Sequence, residues 1–208
     1  MKTNICHESA NSRFAGTSLL PAALAATLLT LGSVAQAEGN SMNLDVLLGS
    51  KQLNSDWENI NGEDYNEQGS LLVMFDVQPE GLPIALAADL MIAGNHQNDV
   101  EAASVEWQLG PRWNIDTGTG FKPYIGAGLT LAAVSIKHED QDFKDREEGS
   151  HGWWAGVGAR YDISSHWHLV ADVRRSNADV EADSFNGTGK QYFNAGGTNV
   201  AFGAGYHW

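Results

Sequence analysis

Cysteine and histidine side chains, which could act as nucleophiles or metal ligands, are few in this chain. The single cysteine, Cys6, falls in the N-terminal segment, so we expect no disulfide and no zinc–thiolate site beyond it. Of the seven histidines, six follow that segment, and none has a recognised metal-ligand spacing except the pair His166 and His168. We interpret these six as surface or interfacial residues, and we expect no metal ion and no cofactor: His96, His138, His151, His166, His168 and His207.

A second set of residues that could do chemistry is polar and charged. These residues share one face of segments in which polar and apolar residues alternate. The opposite face carries Leu, Val, Trp and Phe. Inside a barrel, such charges must be paired or hydrated to offset the cost of desolvation. Two hypotheses remain open, a salt-bridged plug that stabilises the barrel and a narrow polar path for small solutes. The set is Asp89, Glu106, Gln108, Arg112, Arg160, Asp172, Arg174 and Asn199, together with Asp45.

Two acidic stretches, residues 56–67 and 138–148, contain dense carboxylates. Their spacing is not that of an EF-hand calcium loop. One hypothesis is that they gather divalent cations that bridge to phosphate groups of neighbouring molecules. The other is that they are solvated loops.

The elements that carry these residues are strands, because the dominant hydrophobic pattern has period 2 rather than 3.6. Eight such segments follow residue 42, and most reach the ~9–11 residues that a membrane-spanning strand needs. An even number of strands closes into a barrel without a free edge, as lipid requires. The sequence predicts an all-β, eight-stranded antiparallel up-and-down transmembrane β-barrel. It leaves open the facing of the fifth segment, residues 121–137, where Gly and Ala occupy both registers.

The links between the segments alternate between short and long. Residues 78–81, 116–120 and 162–166 are rich in turn formers, whereas 51–68, 95–100, 138–149 and 176–196 are mostly longer. We expect Ser176 and Asn177 to open the last long link. Aromatic residues cluster at the turn-side ends of the segments, which favours interfacial girdles over a soluble sandwich. They are Trp113, Phe121, Tyr161, Trp167, Tyr206 and Trp208.

The N-terminal segment is typical of a secretory signal peptide. Lys2 and Arg13 give a positive n-region, an apolar run covers residues 19–31, and residues 34–37 read Val-Ala-Gln-Ala. We expect cleavage after Ala37, which divides the chain into a signal peptide, residues 1–37, and an outer-membrane β-barrel domain, residues 38–208. The alternative is a membrane-anchoring helix, for which the run is short and rich in alanine.

The overall charge excludes one class of partner. The formal net charge is -14 and the sequence pI is about 4.7, with a mean hydropathy of -0.29. Nucleic-acid binding needs clustered Lys and Arg to meet the phosphates, so we expect no nucleic-acid partner.

Three stretches carry a resemblance to a known family. Residues 122–129 read KPYIGAGL, residues 156–169 contain GVGARYD followed by HWHL, and the C-terminal residues 200–208 read VAFGAGYHW. The chain resembles the small outer-membrane β-barrel proteins of Gram-negative bacteria, the OmpA/OmpX/OmpW-like group. The resemblance implies residence in the cell outer membrane after export across the inner membrane.

The resemblance also implies partners. The last strand is similar to the terminal strand that the barrel-assembly machinery recognises, with Phe202, Tyr206 and Trp208 as its signal residues. Outer-membrane lipid and lipopolysaccharide would surround a monomeric barrel. Function varies within the group, so it does not follow from the fold.

Three functions are compatible with the sequence. The leading hypothesis is a non-enzymatic integral membrane protein with a structural, surface-interaction or porin-like small-solute passage role. The second is a lipid A deacylase-like enzyme. Those enzymes carry a His-x-Ser-Asn motif, which Ser176 and Asn177 echo, but Arg174 stands where the base should be. The third is a soluble, lipocalin-like periplasmic binding barrel, which predicts an apolar interior and a polar exterior.

Overall fold

The computed structural model describes residues 39–54, 58–60, 63–64, 66–97, 100–138, 148–183, 190–194 and 196–208. The predicted signal peptide, residues 1–37 with Cys6, lies outside this part of the chain, so its cleavage stays a prediction. Most of the acidic stretch 138–148 also lies outside it. In the described residues, no helix has the length and apolar character needed to cross a membrane.

The described residues form strands joined by turns, as the period-2 pattern predicts. The strands are β1 (Ser41–Leu53), β2 (Glu58–Ile60), β3 (Glu63–Asp64), β4 (Glu67–Gln78), β5 (Ile84–Gln97), β6 (Val100–Asn114), β7 (Phe121–His138), β8 (Glu148–Asp162), β9 (Trp167–Asp183), β10 (Lys190–Asn194) and β11 (Gly197–His207).

Eight of these strands close into one antiparallel barrel. Their order around the ring is β1–β4–β5–β6–β7–β8–β9–β11, and β11 pairs back onto β1. The closing register runs from Asn43 opposite His207 to Leu53 opposite Gly197. Neighbours in space follow the order of the chain, which confirms the predicted up-and-down topology. Because the ring has no edge, the backbone groups of every strand find partners on both sides.

Tight connections lie at one end of the barrel, here called the turn side. Residues 79–83 join β4 to β5, residues 115–120 join β6 to β7, and residues 163–166 join β8 to β9. Gly81 has φ 76° and Gly118 has φ 71°. Both angles lie in the left-handed region that glycine adopts without strain, so these two residues permit the turns.

The opposite end, here called the loop side, differs from the prediction at the last link. β9 continues to Asp183 and pairs there with β10, beyond the end of the barrel wall. The expectation that Ser176 and Asn177 open a loop is therefore wrong. Both residues are strand residues, because Trp154 and Trp153 of β8 provide their backbone partners.

The two faces of the wall follow the predicted alternation. Leu48, Leu86 and Leu129 point outward and are 70–71% exposed to the surroundings of the barrel. The facing of β7, which the sequence left open, is resolved by the same pattern. Tyr124 and Thr130 are buried inside, whereas Leu129 and its outward neighbours are exposed.

The interior holds apolar side chains between the polar ones. Leu47, Leu72, Met74, Met91, Tyr124, Val170 and Ala201 form one buried cluster. Glycine makes room for the largest of them. A Cβ on Gly158 would lie 2.3 Å from the hydroxyl of Tyr124, so no larger residue fits opposite that ring.

Candidate functional site

The residues predicted to share a polar network lie inside the barrel. Each is at most 3% exposed, and each occupies an inward position of its strand. A charge at such a position has lost its contact with bulk water, so its protein partners decide what its burial costs. The residues are Asp45, Asp89, Glu106, Gln108, Arg112, Arg160, Asp172, Arg174 and Asn199.

Two arginines in the turn-side half of the interior each bridge two aspartates. Arg160 donates from Nη2 to Oδ2 of Asp45 at 2.7 Å and to Oδ2 of Asp76 at 2.6 Å. Arg112 donates from Nη1 to that same oxygen of Asp76 at 2.8 Å. Its Nη2 donates to Oδ2 of Asp89 at 2.6 Å. One carboxylate oxygen of Asp76 is thus shared by two guanidinium groups, which ties the two bridges together.

A third arginine continues the pattern. Arg174 donates from Nη1 to Oδ2 of Asp89 at 2.9 Å and from Nε to Oδ1 of Asp172 at 2.6 Å. The hydroxyl of Tyr124 donates to Oδ2 of Asp172 at 2.8 Å. Acidic and basic groups therefore alternate along one connected path, which we call the ionic chain: Asp45, Arg160, Asp76, Arg112, Asp89, Arg174 and Asp172.

Towards the loop side, further polar and charged groups extend the ionic chain. Oε1 of Gln108 accepts a hydrogen bond from Nη1 of Arg174 at 2.6 Å. Nε2 of Gln108 donates to Oε2 of Glu106 at 2.9 Å. Nζ of Lys51 lies 2.7 Å from Oε1 of Glu106 and 3.2 Å from Oγ of Ser104. The network thus spans the interior from the turn side towards the loop side.

Aromatic rings add to the pairing of the arginines. The guanidinium carbons of Arg112 and Arg160 lie 5.2 Å and 5.0 Å from the centroid of the Tyr124 ring. That of Arg174 lies 5.3 Å from the centroid of the Trp154 ring. In a desolvated site, such cation–π contacts stabilise the charged form of arginine and fix its position.

Asn199 is the one predicted residue that the described contacts do not join to the ionic chain. Its Oδ1 accepts a hydrogen bond from Oγ of Ser70 at 2.5 Å, and its Nδ2 has no partner among the described residues. Oδ1 of Asp89 and Nε of Arg112 likewise lack one. Polar atoms of this kind are the positions at which internal water binds in protein interiors.

Two charged members of the network were missed from the sequence. Asp76 shares the inward register of Ser70 and Met74, so the alternation alone would have identified it. The sequence pattern places Lys51 in the first long link. β1 instead runs to Leu53, which keeps Lys51 in register with Asp45 on the inner face.

One histidine also departs from the prediction. The prediction that His168 is a surface or interfacial residue is wrong, because His168 is 1% exposed and lies inside the barrel. Its position follows from the period of the strand, because Asp172 and Arg174 on β9 share its face. Nε2 of His168 lies 2.5 Å from Oδ1 of Asp45, which attaches the imidazole to the end of the ionic chain.

The turn-side rim of the interior brings together side chains that could hold a metal ion. Asp162 ends β8, His168 lies near the start of β9, and His207 ends β11. One potential ligand atom from each of the three lies within 4.8 Å of the others. The rings of His168 and His207 are stacked, with centroids 5.9 Å apart.

Comparison with known proteins identifies the family. A model of the outer membrane protein beta-barrel domain matches residues 22–208. The chain belongs to this family. The outer-membrane protein y4mB of Sinorhizobium fredii (strain NBRC 101917 / NGR234), described as uncharacterized, is 27% identical over 132 residues. The match covers 58% of this chain and 57% of y4mB, so the chain matches little more than half of that relative.

Solved structures of the same fold agree with this assignment. Neisserial surface protein A superposes with a TM-score of 0.58 at 18% identity, over 81% of this chain and 99% of that one. OprG of Pseudomonas aeruginosa superposes with a TM-score of 0.58 at 12% identity, over 82% of this chain and 96% of OprG. Ail of Yersinia pestis superposes with a TM-score of 0.53 at 12% identity, over 83% of this chain and 100% of Ail. At these identities the likeness shows the fold alone.

As a member of the outer membrane β-barrel family, the protein lies in the outer membrane, and its outer face fits that location. Leu, Val, Ile and Phe side chains are exposed along the wall, whereas the charged residues of the polar network lie inside. This arrangement excludes a soluble lipocalin-like barrel, which would need an apolar interior and a polar exterior. The turn-side ends of the strands carry exposed aromatic residues: Trp113, Phe121, Tyr161, Trp167 and Trp208.

The predicted assembly-signal residues lie on the last strand and just after it. Phe202 and Trp208 are exposed to the outside, and Tyr206 is half-buried. The Tyr206 ring packs edge-on against Trp167 and Trp208, with centroid distances of 5.2 Å and 4.9 Å. Their recognition by the barrel-assembly machinery stays a prediction.

Proposed function

We propose that this family member is a non-enzymatic outer-membrane protein whose interior is closed by the ionic chain, so that the barrel acts as a rigid structural scaffold in the membrane. The observation that carries the proposal is the course of the ionic chain. It crosses the lumen between strands on opposite sides of the ring rather than following the wall. A solute would have to break these pairs to pass.

The size of the barrel supports closure. An eight-stranded barrel has an interior that side chains just fill. Here the largest fully buried side chains include Trp154, Arg112, Arg174 and Lys51, all of which point inward. Separating a buried guanidinium from its carboxylate leaves two uncompensated charges, which costs several kcal/mol.

The interior does not support the deacylase hypothesis. Ser176 is 1% exposed and points into the barrel, away from the lipid substrate that such an enzyme would need to reach. The neighbouring Arg174 is committed to Asp89 and Asp172. His168 lies eight residues along the same strand, a span of about 26 Å, so it cannot activate the serine as a base.

The proposal includes partners that follow from the outer face. Lipid and lipopolysaccharide would cover the exposed apolar wall, and the barrel-assembly machinery would insert the chain. A barrel with no free strand edge needs no second copy to satisfy its backbone, so we propose a monomer. By the general pattern of outer-membrane barrels, the turn side faces the periplasm.

Planar-bilayer conductance tests the proposal. The full-length protein would be expressed, extracted from outer membranes in detergent, shown to be folded by the different gel mobility of boiled and unboiled samples, and inserted into a bilayer. We expect a folded protein without discrete channels. Reproducible channels from the wild-type protein would contradict a closed interior.

A second candidate, narrow solute passage, is favoured by one observation at the turn side. A polar cavity of about 280 Å³ opens there, and it reaches Arg160 of the ionic chain. Lys122, Asp116 and Asn43 are among its lining residues. If channels are recorded from the wild-type protein, exchange of Arg160 for a neutral residue should change their ion selectivity.

A further inference from the structure

The ends of three barrel strands form a second polar site, separate from the middle of the ionic chain. Asp162 of β8 lies opposite His168 of β9 in the strand register. His207 of β11 lies two residues beyond Gly205, the residue that faces His168 across the next strand pair. All three side chains belong to the inward register and meet at the turn-side rim, where Asp162 and His207 are half-buried and His168 is buried.

His168 is held in place by the carboxylate of Asp45. The pair fits because the neighbouring residue, Gly205, has no side chain. Nε2 of His168 is hydrogen-bonded to Oδ1 of Asp45, which leaves Nδ1 as the nitrogen that can bind a metal ion. A Cβ on Gly205 would lie 1.9 Å from that oxygen and 2.3 Å from Nε2 of His168. Glycine is therefore required for the pair to form. A carboxylate on one imidazole nitrogen fixes the orientation of the ring, as it does behind metal-binding histidines.

We propose that Asp162, His168 and His207 bind one divalent transition-metal ion at the turn-side rim. Two imidazoles and one carboxylate form a ligand set that suits Zn²⁺, Cu²⁺ or Ni²⁺ better than Ca²⁺ or Mg²⁺, which prefer oxygen. The ligand atoms lie within 4.8 Å of one another, so modest side-chain movement brings them to the ~2.0–2.1 Å that zinc–ligand bonds require. The coordination positions left over would take water.

Lys122 provides a competitor for this site. Its Nζ lies 2.7 Å from Oδ2 of Asp162, and its side chain is partly exposed. The metal ion must displace this ammonium group or use the other carboxylate oxygen beside it. Either way, the positive charge of Lys122 lowers the affinity for a cation, so its removal is expected to tighten metal binding.

Calorimetric titration with ZnCl₂ tests the site. The full-length protein would be purified from outer membranes in a non-ionic detergent without an oligohistidine tag, treated with EDTA and exchanged into buffer at pH 7.5. We expect one Zn²⁺ per chain and no binding heat with CaCl₂. His207→Ala and Asp162→Asn should each weaken Zn²⁺ binding by about tenfold or more, since even second-shell changes act on that scale.

Two further variants sharpen the test. His166→Ala is the matched control, because His166 is exposed and stacks on His207 yet is not one of the three ligands. It should bind Zn²⁺ like the wild type. Lys122→Gln should bind Zn²⁺ more tightly than the wild type. Gel mobility before and after boiling shows that each variant is folded.

The proposal is overturned by either of two results. One is a folded wild-type protein that takes up no Zn²⁺. The other is wild-type affinity in folded His207→Ala and Asp162→Asn, which would place the ion on other histidines and leave the three side chains as an aromatic and ionic cluster. Both results are independent of conductance, so they leave the proposed scaffold function untouched.

Discussion

Arg160 and Asp76 are 84 residues apart in the chain, and Nη2 of the arginine lies 2.6 Å from Oδ2 of the aspartate. Their strands, β8 and β4, are four places apart in the eight-stranded ring, so the pair spans the lumen. Arg174 of β9 and Asp89 of β5 repeat this relationship at 2.9 Å. Two ion pairs that span the lumen hold opposite walls of the barrel at a fixed distance.

Replacement of the shared carboxylate should be strongly destabilising. Asp76→Asn keeps the size of the side chain but removes the charge that two guanidinium groups share. Removing one partner from a buried ion pair costs about 3–5 kcal/mol, because the other charge stays buried without compensation. Urea unfolding of the detergent-solubilised protein, followed by tryptophan fluorescence, would measure the change.

A matched control for that variant is Asp116→Asn. Asp116 is exposed in the turn between β6 and β7, and its Oδ1 accepts a hydrogen bond from the amide of Gly118 at 2.9 Å. An asparagine still accepts that bond, so stability should be unchanged. Equal stability of the two variants would show that the buried pair contributes no more than a surface charge.

A methyl group at Gly205 should disturb the turn-side end of the ionic chain. Ala at this position would place Cβ 1.9 Å from Oδ1 of Asp45, so the Asp45–His168 pair must separate. Overpacking of this kind costs about 1–3 kcal/mol. Gly69→Ala is the control, since the nearest atom to a Cβ there is 3.9 Å away. Unfolding midpoints in urea that are equal for the two variants would contradict the close packing at Gly205.

The lipid-facing wall makes a separate prediction. Leu129 is 71% exposed on the outer face of β7, and Leu129→Arg would put a charge into the hydrocarbon region. The cost is about 2–4 kcal/mol near the bilayer midplane and about 0–1 kcal/mol near the interfaces. Ile163→Arg, in the turn between β8 and β9, makes a comparable substitution outside the wall. The yield of folded protein in outer-membrane fractions should fall for the first variant and remain near wild type for the second.

Local rules were enough to predict the wall of the barrel from the sequence. The side chains of a strand alternate between two faces, so once Ile84 and Leu86 are placed outward, Asp89 must point inward. The same rule identified Arg112, Arg174 and the rest of the predicted interior set. It left β7 open because Gly and Ala carry no preference for either face, and the facing of that strand was settled by its pairing with β6 and β8.

The partners within the interior could not be predicted in the same way. Alternation says that Arg160 points inward, but not that Asp76, on the opposite wall, receives its hydrogen bond. That choice depends on the stagger of the strands around the ring. The turn-side site was missed for a related reason, since Asp162, His168 and His207 come together only when β8, β9 and β11 are placed in register.

Removal of both members of one ion pair that spans the lumen should open the barrel. The double variant Asp89→Ala/Arg174→Ala leaves the net charge unchanged and removes both charges of this pair together, although Asp172 loses its ion pair with Arg174. Arg112 keeps Asp76, and Asp172 keeps the hydroxyl of Tyr124. Because two side chains of the ionic chain are then missing from the interior, we expect discrete channels in planar bilayers where the wild type has none.

The matched double variant Lys122→Ala/Asp162→Ala removes a charge-neutral pair at the rim and should form no channels. A folded but silent Asp89→Ala/Arg174→Ala protein would show that Arg112 and Arg160 close the lumen without the third arginine.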